Sequence, residues 1–228
     1  MTEVLENIDR QLTLAVNGSS SLFVDGLAVT ATSTVTWLPA ACILLYVIIH
    51  NNEMKNIGIL LLGIGLCILL ADQGASGICK PLVARWRPAN DPQLMYVVDV
   101  VNDYRGGRFG FFSSHAANTF AVSTFVSLLI REYRLTLALF SWALLNCWTR
   151  VYLGVHYVGD ITVGLLYGIL VGGLVYWCCT HFLPASRPHA TNRNDLLTAT
   201  GYYVSDVSIL IITLLVTYLY ICFRALVF

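Results

Sequence analysis

The sequence predicts an all-α, polytopic membrane protein whose six transmembrane helices form a single domain over residues 1–228. Hydrophobic residues make up 57% of the chain, charged residues 11%, and the mean hydropathy is +0.71. A soluble domain carries about a quarter charged residues. Several apolar runs approach the ~20 residues that cross a ~30 Å hydrocarbon core. These runs are continuously apolar rather than alternating, which disfavours a transmembrane β-barrel.

The first element predicted is an amphipathic helix within residues 1–20. Its apolar residues recur at spacings of three and four, at Val4, Leu5, Ile8, Leu12, Ala15 and Val16. This segment is too short and too polar to span a bilayer, so we expect it to lie in the membrane interface. The sequence NGSSS then ends the helix.

Six apolar spans follow, with connections of unequal length. The spans are predicted at residues 24–49, 57–78, 114–131, 135–150, 160–182 and 203–223. HNNEMKN and REYR are short polar turns, and residues 183–202 form a polar, proline-containing linker. The longest connection, residues 79–113, holds three prolines and a Gly-Gly pair, which predicts an irregular loop.

The number of crossings places two polar segments on one side of the membrane. Two spans separate the 79–113 loop from TRVYLGVHYVGD, residues 149–160, so the chain crosses, returns and presents both on the same face. The opposite loops carry Lys55, Arg131, Arg134, Arg187 and Arg193, which predicts a cytoplasmic location for them. Five cations also lie in the 79–113 loop. If two of these bind substrate, the external placement of the loop is favoured.

Charge and cysteine content exclude several other classes of protein. The formal net charge is zero, which argues against a nucleic-acid partner. The seven cysteines, nearly all in apolar runs, form no CxxC pair, so we interpret them as small buried hydrophobic residues. We therefore expect no metal and no cofactor.

Cations outnumber acids on the face that the two polar segments share. Its ionisable residues are Lys80, Arg85, Arg87, Arg105, Arg108, His115, Arg150, His156 and Asp160. A metal site would require several carboxylates, or histidines and cysteines at ligand spacing. This composition suits an anion with several oxygens, such as phosphate. Ser113 or Ser114 is also placed to cap the third span, and the N–H groups of a helix N-terminus favour a bound anion.

Two histidines supply the reactive groups. His156 and Asp160 are four residues apart, so we expect both to project from one face at the start of the fifth span. An aspartate that accepts the imidazole N–H leaves the other ring nitrogen nucleophilic. His115 is then the candidate general acid. Lys80, Arg87 and Arg150 would neutralise the negative charge on the transferring phosphoryl group.

The motifs resemble the type 2 phosphatidic acid phosphatases, which share their site with vanadium haloperoxidases and bacterial nonspecific acid phosphatases. The family signature begins with Lys, six residues and Arg-Pro, which KPLVARWRP matches at residues 80–88. Its second part, Pro-Ser-Gly-His, is matched in part by FSSH at residues 112–115. Its third part is Ser-Arg, five residues, His, three residues and Asp, matched within residues 149–160.

The resemblance implies a role for each matching position. In the family, the residue that matches His156 attacks phosphorus and forms a phosphohistidine, the one that matches Asp160 orients it, and the one that matches His115 protonates the leaving group. Phosphate oxygens are held by the positions that match Lys80, Arg87, Arg150, the Ser113 hydroxyl and the Ser114 backbone N–H. Three positions depart from the pattern, namely Phe112 for Pro, Ser114 for Gly and Thr149 for Ser.

The resemblance also implies a class of substrate and a location. The expected substrate is a phosphomonoester or pyrophosphate of a membrane lipid: a polyprenyl pyrophosphate, a lipid A-type glycolipid, phosphatidylglycerol phosphate or phosphatidic acid. The compact layout resembles bacterial members of the family, which implies the inner membrane and an external site. The sequence does not indicate an oligomeric state.

Other interpretations of the same residues remain open. The chain could be a non-hydrolytic binder or transporter of phosphorylated lipid, although we find no internal repeats. It could also be a metal-dependent hydrolase with His115, His156 and Asp160 as ligands. Arg85 lies outside the pattern, so we interpret it as an anchor at the membrane surface. Asp72 shares a helical face with Lys80, where a structural hydrogen bond is the favoured interpretation.

Overall fold

The computed structural model describes residues 2–182 and 196–228, and this part of the chain is helical with irregular connections. Most of the predicted 183–202 linker lies outside the described residues. The α-helices are α1 (Thr2–Val16), α2 (Leu22–Thr32), α3 (Leu38–Asn51), α4 (Met54–Asp72), α5 (Lys80–Val83), α6 (Ser114–Ile130), α7 (Tyr133–Tyr152), α8 (Val158–Phe182) and α9 (Val204–Leu226).

The first predicted span is broken into two helices. The prediction was one helix over residues 24–49, but Ser33 adopts an extended conformation (φ −72°, ψ 124°) between α2 and a 3₁₀ turn at Thr34–Trp37. Side chains replace the interrupted backbone bonds, since the Thr36 hydroxyl donates to Thr30 O (2.7 Å) and the Trp37 indole to Ala31 O (2.8 Å). Threonines compete with the backbone in this way, which explains the break.

The second span continues past its predicted end at residue 78. Helix α4 passes through a π-helical turn, Gln73–Cys79, into the short helix α5. The continuous segment ends at Ala84, which adopts a left-handed conformation (φ 50°). A π-helical turn inserts an extra residue and changes the direction of the side chains that follow it. Lys80, the first residue of α5, is one of the residues whose side chains follow this turn.

Within the described residues, four helices are long enough and apolar enough to cross a membrane. They cover Thr34–Asn51, Met54–Val83, Val158–His181 and Val204–Leu226, and α6 is apolar but shorter. Helices α6 to α9 agree with the predicted spans to within about three residues at each end. The all-helical membrane architecture is therefore confirmed.

The core of the bundle is built around α6, which packs against α4, α7 and α8. Three glycines spaced by four residues bring α8 against α6. A Cβ atom at Gly168 would lie 2.4 Å from Ala117 O, and one at Gly172 would lie 2.3 Å from Ala121 O. Small residues allow helix backbones to approach closely in this way.

Different segments of the chain meet at the two ends of the bundle. At one end, which we call the site end, the Asn17 amide donates to Tyr152 O (2.8 Å) and to Asp99 O (3.0 Å), so it joins α1 to α7 and the 79–113 loop. At the opposite end, Thr200 Oγ1 donates to Ile130 O at 2.7 Å. The Asn17 contacts show that the 79–113 loop and the 149–160 segment, which the sequence predicted to share one face, both lie at the site end.

Replacing Gly172 with alanine should destabilise the protein, because the new Cβ would meet the α6 backbone and push α6 and α8 apart. Overpacking of this kind costs about 1–3 kcal/mol. The neighbouring Gly173 is the matched control, since a Cβ added there would meet no described atom within 4 Å. Thermal unfolding in detergent should show a lower midpoint for Gly172→Ala than for Gly173→Ala, and equal midpoints would contradict this account of the packing.

Candidate active site

The centre of the site is the pair His156 and Asp160. His156 Nδ1 lies 3.3 Å from Asp160 Oδ2, which also accepts the Tyr157 N–H at 3.1 Å. Both side chains are buried, with 1% of His156 and none of Asp160 exposed. The expectation that both project from one helix is corrected, because α8 begins only at Val158. His156 lies in the preceding bend, where its N–H donates to Arg150 O (3.2 Å).

The contacts of His156 define which of its nitrogens is free to react. Arg87 Nη1 lies 3.4 Å from His156 Nε2, and a guanidinium can only donate, so Nε2 is the acceptor and Nδ1 carries the proton. Burial, followed by the charges of Arg87, Arg150 and Lys80, lowers the pKa of His156 well below its ordinary value of 6.5. At neutral pH the imidazole is uncharged and has a lone pair on Nε2.

Arg87 is fixed by the backbone around it. Its Nε donates to Phe109 O (3.2 Å) and its Nη1 to Val155 O (3.1 Å). A bridge between Trp86 and Phe109 brings the two ends of the 79–113 loop together. Gly110 was not predicted from the sequence; a Cβ at this position would lie 3.0 Å from Asp160 Oδ2. The only signal for it was its place in the glycine-rich segment RGGRFG.

Arg150 presents a free donor inside the protein. Its Nη1 donates to Thr32 Oγ1 (2.7 Å) and its Nη2 to the Tyr104 hydroxyl (3.0 Å). Its Nε is buried and has no hydrogen-bond partner among the described residues. Thr32 and Tyr104 were not predicted from the sequence, since nothing in their spacing relates them to Arg150. An unpaired buried N–H of a cation is a binding group for an anionic oxygen.

Lys80 reaches the site from α5. Its Nζ donates to Ser76 Oγ (2.9 Å) and to Ser114 Oγ (3.2 Å), and the Ser76 hydroxyl donates to Asp72 Oδ1 (3.1 Å). The predicted alignment of Asp72 with Lys80 is therefore present, and one serine connects the two. This chain of hydrogen bonds holds the ammonium group beside the N-terminus of α6.

The N-terminus of α6 forms the wall opposite the 79–113 loop. Ser113 is its N-cap, accepting the Ala116 N–H (3.4 Å), while its own N–H donates to Asp160 O (3.1 Å). His115 follows in the first turn, and its side chain makes no hydrogen bond to the residues that the structure describes. Its imidazole lies within electrostatic range of four groups: Arg150, His156, Lys80 and Arg87.

One residue occupies a place that the sequence did not predict. Arg85, interpreted above as a membrane-surface anchor, instead donates to Asp160 Oδ1 at 2.8 Å. The predicted residues from three separate segments thus come together at the site end. Within residues 2–182 and 196–228, no group of three or more His, Cys, Asp or Glu side chains is arranged to hold a metal ion. The arrangement combines a neutral nucleophilic imidazole with several cationic donors, and it can bind and attack a tetrahedral oxyanion.

Comparison with known proteins points to the same chemistry. A sequence model of the PAP2 superfamily matches residues 56–183. The chain is 39% identical over 186 residues to a lipid A 4′-phosphatase of Bacteroides thetaiotaomicron, covering 81% of this chain and 82% of the relative. It is 31% identical over 190 residues to a lipid A 4′-phosphatase of Porphyromonas gingivalis, covering 82% and 80%.

A solved structure resembles the fold. It is the crystal structure of a transmembrane PAP2 type phosphatidylglycerolphosphate phosphatase from Bacillus subtilis, with a TM-score of 0.60 and 21% sequence identity. The match covers 79% of this chain and 88% of that one. At this identity the comparison supports the fold alone.

Replacing Arg150 with methionine should weaken the binding of orthovanadate, a tetrahedral oxyanion, by about tenfold or more. A hydrogen bond to a charged group contributes about 1.5–3 kcal/mol, and this variant removes the free Nε donor. Arg108→Met is the matched control, because Arg108 is exposed and lies over the Trp86 ring (4.6 Å). Titration calorimetry of the detergent-solubilised protein provides the measurement. Equal losses in the two variants would mean that vanadate responds only to net charge.

Proposed function

The chain belongs to the PAP2 superfamily and is an integral-membrane lipid phosphatase; from this premise, we propose that it hydrolyses the 4′-phosphate of a lipid A-type glycolipid. The names of the two similar chains support this substrate, since both are lipid A 4′-phosphatases that align over most of their length. The observation that carries the proposed chemistry is the buried His156, whose Nε2 faces the Arg87 guanidinium at 3.4 Å.

In the proposed reaction, His156 Nε2 attacks phosphorus. The bond between phosphorus and the lipid oxygen breaks, and protonated His115 transfers its proton to that oxygen, so the dephosphorylated lipid leaves as an alcohol. The product on the protein is a phosphohistidine at position 156. Neutral His115 then takes a proton from water, the hydroxide attacks phosphorus, and inorganic phosphate leaves as Nε2 regains its lone pair. Asp160 keeps Nδ1 protonated and stabilises the positive charge on the ring.

The phosphate oxygens are proposed to bind to fixed donors around this nitrogen. The Arg150 Nε is buried and unpartnered among the described residues, so it can donate without breaking another bond. Lys80, Arg87 and the N-terminus of α6, including the Ser114 N–H, provide further positive potential. The Ser113 and Ser114 hydroxyls already form hydrogen bonds, to Ala116 N–H and to Lys80, which favours a supporting role for them. Preorganised donors of this kind stabilise charge in the transition state, and the proposed mechanism requires no metal or cofactor.

The membrane arrangement is also part of the proposal. Six crossings result if α2 and α3 together form the first, with α4–α5, α6, α7, α8 and α9 as the others. Helix α1 is proposed to lie in the interface, because the apolar residues Val4, Leu5, Ile8 and Leu12 remain exposed on it. The site end would face outward from a bacterial inner membrane, since Lys55, Arg131 and Arg134 lie at the opposite end.

Purified protein should release phosphate from lipid A that carries both the 1- and the 4′-phosphate, and mass spectrometry should show that only the 4′-phosphate is lost. His156→Ala should reduce this activity by at least about 10⁴-fold, since the proposed reaction requires the bond between Nε2 and phosphorus. Incubation with EDTA should leave the wild-type rate unchanged.

The same assay should be run with three alternative substrates: undecaprenyl pyrophosphate, phosphatidylglycerol phosphate and phosphatidic acid. A higher kcat/KM for any of these would refute the glycolipid assignment. Turnover by His156→Ala near the wild-type rate would refute the nucleophile assignment, and loss of activity in EDTA would favour a metal-dependent reaction. Binding of all lipids without turnover would identify a transporter or binding protein.

A β-lactamase domain fused after Phe228 should protect a bacterial host from ampicillin, because six crossings return the C-terminus to the site end on the external side. The same domain fused after Asn52, at the opposite end, should give no protection. Immunoblots of both fusions control for expression. The reverse pattern would place the active site on the cytoplasmic face.

A further inference from the structure

Arg85 connects the catalytic aspartate to the N-terminal helix. Its Nη1 donates to Asp160 Oδ1 (2.8 Å) and its Nη2 donates to Asp9 Oδ2 (2.7 Å). The side chains are 25% exposed for Arg85, 15% for Asp9 and 0% for Asp160. The guanidinium also lies 4.0 Å from the centre of the Tyr157 ring. One cation therefore joins two carboxylates from segments that lie 151 residues apart in the sequence.

Helix α1 also holds the first turn of α8 directly. Asp9 Oδ1 accepts the Gly159 N–H (2.7 Å), and the Thr13 hydroxyl oxygen accepts the Val158 N–H (3.1 Å). These are N–H groups that have no partner within their own helix. Gly159 permits this approach, because a Cβ there would lie 2.7 Å from Asp9 Oδ2. Side chains of α1 thus cap the N-terminus of α8, the helix that carries Asp160.

The contacts of Asp160 divide between its two oxygens. Oδ1 accepts from Arg85, while Oδ2 faces His156 Nδ1 (3.3 Å) and accepts the Tyr157 N–H (3.1 Å). A guanidinium next to one carboxylate tends to bind both of its oxygens. Here the second guanidinium nitrogen is taken by Asp9, so Arg85 contacts Oδ1 only and Oδ2 is left for His156.

We propose that Asp9 and Arg85 are positioning residues for catalysis, which hold the Asp160 carboxylate in the orientation that directs its Oδ2 at His156. This inference rests on the proposed phosphohistidine function and adds two residues to it. Neither residue touches the phosphate. They act by preventing Arg85 from rotating onto Oδ2 and by preventing the carboxylate from turning away from the imidazole.

The electrostatics of the trio agree with this role. Burial alone would lower the pKa of Arg85, but the carboxylates of Asp160 and Asp9 outweigh it and raise the pKa above its ordinary value. Arg85 is therefore a permanent cation between two anions. Arg85 offsets the cost of burying the Asp160 carboxylate. Because Asp9 shares the guanidinium, Arg85 competes less strongly with His156 for the negative charge of Asp160.

Asp9→Asn is the central test. The amide can still accept the Gly159 N–H with its oxygen, but its NH₂ group then faces Arg85, another donor. Arg85 should turn toward both Asp160 oxygens, and we expect kcat to fall by about tenfold to a hundredfold, as displaced catalytic groups do. KM for the lipid substrate should stay within about twofold, because no phosphate contact changes.

Glu6→Gln is the matched control. Glu6 lies on the same helix one turn earlier and is exposed, so this variant removes the same charge from α1 without touching Arg85. It should retain kcat within about twofold. Thr13→Val removes the hydroxyl that caps Val158 but leaves the Arg85 contacts in place. If α1 serves only to dock against α8, then Thr13→Val and Asp9→Asn should lose similar amounts of kcat.

Arg85→Lys provides a second route if Asp9→Asn does not fold, as judged by thermal unfolding in detergent. Lysine keeps the charge but cannot bridge both carboxylates, so kcat should again fall with little change in KM. Because Asp9 and Arg85 act through one chain of hydrogen bonds, the double variant should lose no more kcat than the worse single variant.

A folded Asp9→Asn protein with kcat within twofold of wild type would overturn this inference, as would equal losses in Asp9→Asn and Glu6→Gln. Additive losses in the double variant would also overturn it. His156→Ala, assayed alongside, separates this outcome from failure of the proposed function. If His156→Ala is inactive and Asp9→Asn is normal, only the positioning role is wrong; if His156→Ala is active, the phosphohistidine mechanism itself is wrong.

Discussion

The buried Asp160 carboxylate is the constraint on which the site end depends. A fully buried charge is destabilising unless it is paired and hydrogen-bonded. Its side chain is satisfied by Arg85 from the 79–113 loop, by His156 and by the Tyr157 N–H, and its backbone carbonyl accepts the Ser113 N–H (3.1 Å). Residues from all three motif regions therefore meet at one residue. The same contacts that satisfy this charge also assemble the nucleophile, which makes stability and function inseparable here.

Close packing of α6 against α8 places the second histidine. Gly164, like the glycines that follow it, carries no Cβ, and one there would lie 2.6 Å from Ser113 O. The N-terminus of α6 can therefore lie beside the first turn of α8, and this brings the His115 imidazole into electrostatic range of His156. A larger residue at position 164 would meet the Ser113 backbone and push the N-terminus of α6, which carries His115, away from α8. Helix packing within the membrane thus determines the geometry of the proposed reaction at its surface.

Hydropathy and spacing predicted the helices and the meeting of the motifs, because helix length and the number of crossings follow from the apolar runs of the sequence. The expected i, i+4 placement of His156 and Asp160 on one helix was wrong, since His156 precedes α8. Hydropathy and spacing did not predict the break at Ser33, where the side chains of Thr36 and Trp37 replace backbone bonds. They also missed Arg85, Thr32 and Tyr104. Each of these side chains finds its partner through tertiary contact with a residue far away in the chain, and no periodic pattern marks such a pair. The interpretation of Arg85 as a surface anchor was wrong because, in sequence, a cation next to an apolar span looks the same whether it faces lipid headgroups or pairs with a buried carboxylate.

The three departures from the family pattern can be understood from their surroundings. Ser114 begins α6, so helical geometry suits it without glycine, and its hydroxyl accepts from Lys80 (3.2 Å), a contact that glycine could not make. The Thr149 hydroxyl donates to Asn146 O (2.7 Å) within its own helix. Phe112 is buried, with its ring 5.0 Å from that of Tyr167. Ser114 and Phe112 make contacts that glycine and proline could not, Thr149 keeps the hydroxyl that serine would supply, and none of the three removes a cation or an imidazole. The electrostatic part of the site can thus be maintained while its supporting contacts change.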